Sequence, residues 1–265
     1  MKPIFKTLTA FAVLFATTFF APGAFAQATG ASREGPTQIT GPDGRDTRRF
    51  PSIFGSPSAF PSPGGTGFAG LNYVNPREGI EGNGADGDDG AGYTIGNPVE
   101  NVSVTFGVAI TSLQDFADSG SFSVSAARAV SITQQSLTFV GASAGNLGAW
   151  GDAQESPESY AAYISHLRAL PTGAGEIPVQ FTIGYGDETT FDEDGETIGE
   201  GAFVGLGVGV AQNFSLGVSA TETQLNAGVG FGIPELPSVS VSMGVFDITN
   251  NVERRQFSLG VSLGF

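Results

Sequence analysis

The chain has 265 residues, with 40 Gly, 15 Pro, no Cys and one His, and its 26 acidic residues outnumber 11 basic ones for a formal charge of −15. Only 14% of residues are charged and 40% are hydrophobic, against about 25% charged in an ordinary soluble domain. This excludes a disulfide scaffold, thiolate metal sites and multi-His metal centres. An acidic chain is also a poor partner for the phosphate backbone of nucleic acid.

Residues 1–26 read as a cleavable secretory signal peptide. Lys2 and Lys6 supply the positive start, Leu8 to Phe20 the apolar run, and Ala24-Phe25-Ala26 the small-residue cleavage pattern before Gln27. The run is too short to span a bilayer comfortably as a helix. Removing it removes both lysines, so the remaining nine basic residues are all Arg and the formal charge becomes −17. Residues 27–65 form a Pro/Gly-rich leader in which Pro36, Pro42, Pro51, Pro57, Pro61 and Pro63 forbid regular helix and central strand. The leader is expected to be disordered or periplasmic, with folding back into a barrel lumen as the other course open to it. Arg45, Arg48 and Arg49 make it the only basic patch.

From Thr66 onward the chain alternates apolar and small polar residues. Val102, Val104, Phe106, Val108 and Ile110 alternate with Ser103, Thr105, Gly107 and Ala109; Val204, Leu206, Val208 and Val210 alternate with Gly205, Gly207 and Gly209. The same period of two recurs in 177–187, 213–222, 224–233, 237–248 and 254–265, which is a strand pattern rather than a helical one. The pattern predicts strands at 66–74, 91–97, 100–112, 120–129, 135–144, 159–168, 177–187, 201–211, 213–222, 224–233, 237–248 and 254–265. The sixth is the weakest, since Tyr160, Tyr163, Ile164 and Leu167 also fit one face of a short helix. The repeat of FSLGVS at 214–219 and 257–262 has no third copy and reads as two strands with the same packing task.

Strands near ten residues long with one continuous apolar face suit a tilted bilayer crossing, and closing the sheet in lipid satisfies every backbone group. The fold class is therefore all-β: a transmembrane antiparallel up-and-down barrel over residues 66–265, with about twelve strands, ten being the alternative. With both ends on the periplasmic side, the long connections 75–90, 145–158 and 188–200 all fall on the outer face. The turn 169–176 is the longest on the inner face. Glu78, Glu81, Asp86, Asp88 and Asp89 sit in the first long connection; Asp152, Glu155 and Glu158 accompany the second; Asp187, Glu188, Asp192, Glu193, Asp194, Glu196 and Glu200 accompany the third. The acids thus gather at one end of the predicted barrel. Trp150, Tyr73, Tyr93, Tyr160, Tyr163 and Tyr185 fall near predicted outer strand ends, as an interfacial girdle would.

The last strand, with Phe257, Leu259, Val261, Leu263 and terminal Phe265 on one face, resembles the C-terminal signature of bacterial outer-membrane barrels. That resemblance implies recognition of Phe265 and its alternating partners by the barrel-assembly machinery. The runs PSIFGSPSAF, GTGFAGLNYVN, GADGDDGAGYTIGNP, ITSLQDFADSGSFSVSAARAV and LGAWGD, spread over 51–152, resemble a family of poorly characterised exported bacterial barrels. This second resemblance implies the fold and assigns no site.

Candidate chemistry is sparse, and no enzyme is expected. Gly141-Ala142-Ser143-Ala144-Gly145 matches G-x-S-x-G, which works as a nucleophile elbow only between a strand and a helix. His166 follows Ser165, but no acid stands at a strand spacing that would orient it; an interfacial His near a strand end is the simpler reading. Asp86, Asp88 and Asp89, and Asp192 and Asp194, are weak Ca²⁺ candidates. In the latter loop Thr190 and Gly201 occupy the positions where a calcium loop needs its first and last ligands. No cofactor is expected beyond divalent cations held loosely at these loops. The expected partners are outer-membrane lipid, lipopolysaccharide and the assembly machinery, with no nucleic acid.

With the apolar face toward lipid, the lumen is lined by Gly, Ser, Thr, Asn and Ala, unlike the opposed Arg and acidic residues of general porins. Small lumen residues widen a bore or admit a plug such as the leader. The expected function is porin-like passive diffusion of small solutes across a bacterial outer membrane. A non-conducting structural or adhesive envelope barrel is the alternative, and a soluble secreted β-sandwich or an enzyme a third class.

Overall fold

The computed structural model describes residues 51–75, 86–111, 116–133, 135–172, 175–191, 197–211, 213–251 and 255–265. The signal segment 1–26 and leader residues 27–50 lie outside them, as do Asp192 and Asp194. The strands are β1 (Thr66–Asn75), β2 (Asp86–Gly96), β3 (Ser103–Ile110), β4 (Gly120–Ile132), β5 (Ser136–Trp150), β6 (Ser159–Thr172), β7 (Gly175–Phe191), β8 (Thr197–Ala211), β9 (Phe214–Ala220), β10 (Leu225–Ile233), β11 (Leu236–Phe246) and β12 (Gln256–Gly264). Each pairs antiparallel with its chain neighbours, and β12 pairs with β1 from Phe68–Gly264 to Asn75–Phe257, closing a twelve-stranded up-and-down barrel. Closure is completed outside the strand by Phe265, whose N–H donates to Gly67 O at 2.9 Å and whose carbonyl accepts from Gly67 N at 2.7 Å.

Period two sets the two faces. Phe106, Phe181, Ile183, Leu206, Leu216, Val218, Val261 and Leu263 are exposed on the outside. Ser103, Thr105, Gln180, Thr182, Ser215, Ser219, Ser240 and Ser262, which alternate with them or with equivalent residues, are buried on the inside. This inverts the usual order of a soluble protein and is the arrangement a lipid solvent demands. Among the described residues no helix is long and apolar enough to cross a membrane.

The rim at which β1 begins and β12 ends, here the inner rim, carries the connections 97–102, 133–135, 173–174, 212–213 and 234–235; the opposite, outer rim carries the four longest, 76–85, 111–119, 151–158 and 247–255, with 192–196 and 221–224. The segment 169–176 is not the long inner turn its composition suggests, because β6 and β7 pair as far as Thr172 and Gly175. The longest inner connection is instead 97–102, where Asn97 Oδ1 accepts the Val99 N–H at 2.9 Å. At the outer rim the strands run farther than expected: β2 begins at Asp86, β5 reaches Trp150 and β7 reaches Phe191. Acids assigned to loops therefore stand on strand ends: Asp86, Asp88 and Asp89 on β2, Asp187 and Glu188 on β7, and Glu200 on β8.

Beyond β5 the chain makes one turn of 3-10 helix, Gly151–Glu155. The buried Asn146 side chain donates to Ala153 O at 3.0 Å and Ser156 O at 2.6 Å, holding this loop down. Ser119 Oγ in the preceding outer loop accepts the Ala153 N–H at 2.9 Å and is bonded to Thr111 Oγ1. Trp150 Nε1 donates to Ala117 O at 3.0 Å. Two outer connections are thereby fastened into one cap.

Candidate functional site

The lumen is not empty. Residues 51–62, expected within a disordered or periplasmic leader, lie inside the barrel. Their prolines bar them from the wall's hydrogen-bond ladders, and every wall strand is already paired on both edges, so they pack as irregular chain. Wall hydroxyls supply the polar anchors. The Ala59 N–H donates to Ser165 Oγ at 2.8 Å, and Ser165 Oγ is bonded in turn to Thr182 Oγ1 at 2.7 Å. Gln180 Nε2 donates to Ser58 Oγ at 2.7 Å. Farther along, the Ser52 N–H and hydroxyl both reach Ser215 Oγ, at 3.3 and 2.8 Å. Ser165 and Thr182 are both 0% exposed.

Glycines supply the room. A β-carbon on Gly205 would stand 2.5 Å from Ile53, on Gly207 2.5 Å from Ser52 O, and on Gly217 2.6 Å from Ser52 O. On Gly228 and Gly244 it would stand 2.5 Å from the Phe54 ring. Glycine in a strand interior commonly marks such close backbone approach. Across the lumen the pattern differs: a β-carbon on Gly92, Gly107 or Gly260 would meet wall groups, chiefly Phe68, Ser123 and Ser242. The segment therefore contacts the arc from β5 to β11. It rejoins β1 through Gly64 and Gly65 at the inner rim, where Gly65 has φ +86° and its N–H donates to Thr94 O at 2.8 Å.

An apolar cluster backs the segment. Ala59 and Phe60 pack with Leu137, Phe139, Tyr163, Leu167 and Phe203, the Phe60 and Phe139 rings lying 5.0 Å apart. Tyr163 thus departs from the expected girdle: it is 4% exposed and points into the lumen, whereas Tyr160 is 53% exposed outside. The mixed faces of β6, which also suggested a helix, have this cause. Tyr160 and Ile164 face outward while Tyr163 and Leu167 meet the segment. Tyr93 is exposed as expected but near the inner rim, since β2 ends three residues later. Tyr73, Trp150, Tyr160 and Tyr185 stand toward the outer rim.

The sequence-level candidates for chemistry are dispersed. Ser165 is buried in the lumen; His166 faces outward at mid-strand, not near a strand end, with Nδ1 2.9 Å from Thr138 Oγ1 across the β5–β6 pair. Neighbouring strand residues point to opposite faces, so this Ser and His do not form a dyad. Ser143 lies within the uninterrupted strand β5, without the strand-to-helix elbow of a nucleophile. On β2, Asp88 is buried and Asp89, one residue on, is of opposite parity. Among the described residues no group of three His, Cys, Asp or Glu is placed to hold a metal ion. On β12, Phe257, Val261 and Leu263 are exposed outside, Leu259 shares their parity, and the Phe265 ring lies across Gly67.

No family model matches the chain, and no curated protein is similar to it in sequence. Among solved structures, the KdgM porin in complex with disordered oligogalacturonate matches at 10% identity and a TM-score of 0.50, over 75% of this chain and 99% of that one. The KdgM porin without that ligand matches at 10% identity and 0.49, over the same shares. The outer membrane protein Omp33 of Acinetobacter baumannii matches at 11% and 0.47, over 76% of this chain and 97% of that one. At these identities the likeness is one of fold: the chain is a closed antiparallel barrel of the kind found in outer-membrane porins.

Proposed function

We propose that the protein is a porin-like barrel of the bacterial outer membrane that admits small solutes by passive diffusion. The observation that carries this reading is the inversion of faces: exposed apolar side chains encircle a wall whose inner face is hydroxyl, amide and glycine outside the one apolar cluster on β5, β6 and β8. The fold shared with the KdgM porin supports it. The N-terminal export signal and the aromatic C-terminal strand agree with delivery by secretion and insertion by the assembly machinery. Among the described residues the basic side chains are Arg128, Arg168 and Arg255, all exposed. The described lumen wall thus has no basic group to attract an anion, and the favoured solutes are neutral and polar. Divalent cations bridging acidic rim residues to lipopolysaccharide fit the charge of the outer rim.

A second reading, a non-conducting envelope barrel, is favoured by the depth at which the lumen wall is covered. Planar-bilayer recording of the pure protein decides between the two. Discrete openings are expected. Their absence, both in the intact chain and in a variant lacking residues 51–62, removes the diffusion reading. Heat-modifiable migration and outer-membrane fractionation test the location; full solubility without detergent would overturn it.

A further inference from the structure

We infer that residues 51–62 are a displaceable plug, seated in a glycine-lined berth on β8–β11 and hinged at Gly64–Gly65, that covers the lumen wall and gates access to it. For transport, this inference rests on the diffusion reading above; for the covering of the wall it stands alone.

Three observations set this segment apart from a permanent part of the wall. First, its attachment is of a different kind. Neighbouring wall strands are joined by continuous backbone ladders, whereas the segment joins no ladder and bonds to neutral wall side chains, among them Ser215, Ser165 and Gln180. Secondly, the berth is incompletely satisfied. Gln180 Oε1, beside Ser58, and Ser62 Oγ are buried without a hydrogen-bond partner, and an unpaired buried acceptor disfavours the seated state. Thirdly, the end of the segment that joins β1 leaves room for movement. At the inner rim a β-carbon on Gly64 would collide with Gly96 O, while one on Gly65 would meet nothing within 4 Å. The chain therefore passes the rim closely at Gly64, with open space beside Gly65, and any swing turns about the bonds that hold Gly65 N–H to Thr94 O and Thr66 to Pro63 O.

The seated state is nevertheless specific. The Phe54 ring lies against the backbone of Gly228 and Gly244 with its centroid 4.6 Å from that of Phe246. Phe60 enters the Phe139 cluster. Ring anchors at Phe54 and Phe60 stand among polar contacts at Ser52, Ser58 and Ala59, so the segment has one defined docked position held by neutral wall groups. That combination suits a part that leaves and returns.

The absence of cysteine from the chain makes the test direct. The reporter is Thr182→Cys, in the folded full-length chain in proteoliposomes, labelled by a membrane-impermeant maleimide. Thr182 lies behind the segment, paired with Gly205 and bonded to Ser165. We expect slow but complete labelling, accelerated at least tenfold by Phe54→Ala or by deletion of 51–62. Equal rates with and without the segment, or no labelling of the intact chain at all, would overturn a displaceable cover. Separately, Ser52→Cys with Ser215→Cys replaces hydroxyls 2.8 Å apart. Its cross-link is read by mobility on an unreduced gel, and failure of the link to form overturns the seating. In planar bilayers the oxidised pair should show at least tenfold lower open probability than the reduced pair. Equal conduction in both states overturns the gate. If labelling depends on the segment while no variant conducts, the plug stands as a cover and the diffusion reading falls.

Discussion

Gly244→Ala separates the stability of the wall from the seating of the segment. An added β-carbon at 244 would stand 2.5–2.6 Å from three ring atoms of Phe54, where carbon pairs settle at about 3.5–4.0 Å. The ring must retreat by roughly 1 Å, and overpacking of this kind costs about 1–3 kcal/mol. That lowers the seated population relative to the displaced one by about 5- to 150-fold. The strand itself responds in the opposite sense, because alanine in a strand interior is more stable than glycine by roughly 0.5–1 kcal/mol. The expected outcome is a barrel at least as resistant to urea, followed through the single tryptophan, Trp150, together with markedly faster maleimide labelling at Thr182→Cys. In a Phe54→Ala background the clash has no partner, so Gly244→Ala should leave the labelling rate unchanged there, a double-mutant cycle with a large coupling term. An equal acceleration in both backgrounds would refute the contact as the cause. A loss of barrel stability without faster labelling would refute the separation of wall from segment.

Other perturbations test the remaining structure. Phe139→Ala removes a fully buried ring from the lumen cluster and should lower unfolding stability by about 3–5 kcal/mol, read by urea titration of Trp150 fluorescence. Val261→Arg puts a charge on the outward face of β12 and should cost about 2–4 kcal/mol near mid-membrane, with a reduced heat-modifiable fraction after refolding into vesicles; no change would argue that β12 does not face lipid. Deleting Phe265 removes both backbone bonds to Gly67 and should slow the appearance of the heat-modifiable form several-fold in cells and in vesicles. Asn146→Ala frees the carbonyls of Ala153 and Ser156, so limited proteolysis should cleave within 151–158 while the strands remain protected.

The wall was legible in the sequence because lipid makes period two nearly obligatory. Each of the twelve expected strands overlaps an observed one, including β9 and β12, whose FSLGVS repeat serves the same outward-apolar, inward-serine pattern. Strand ends were less legible. Asp86, Asp88 and Asp89 read as loop residues because strands rarely carry three acids, yet antiparallel pairing with β1 holds them in the ladder. Where the wall meets the segment, the alternation itself is blurred. Leu137, Phe139, Tyr163, Leu167 and Phe203 are apolar on the inner face because that face is a packed core there. The position of residues 51–62 could not be read from their own composition, which marks irregular chain and nothing more. A usable signal lay in the partner surface. Gly205, Gly207, Gly217, Gly228, Gly230 and Gly244 recur at inward positions on four consecutive strands, whereas β3 presents Ser103, Thr105, Gly107 and Ala109 inward. Such a concentration marks where another backbone lies.

The berth of the segment also bears on the order of folding. Residues 51–62 precede β1 in the chain, yet they rest on β5 to β11, and the last pairing to form a closed wall is that of β12 with β1. Contacts so distant in sequence form slowly, because a long loop must be closed before they contribute. A segment left outside until closure enters later through the inner rim, by the swing about Gly64–Gly65 that displaces it from the finished barrel, and the wall then closes without its help. A segment gathered against β8–β11 while the sheet is still open would be enclosed as the ends meet, and would act as a mandrel around which the wall curls. The rate of closure then depends on residues that belong to no strand, and substitutions at Phe54 or Ser58 should register in the kinetics of assembly before they register in the finished barrel.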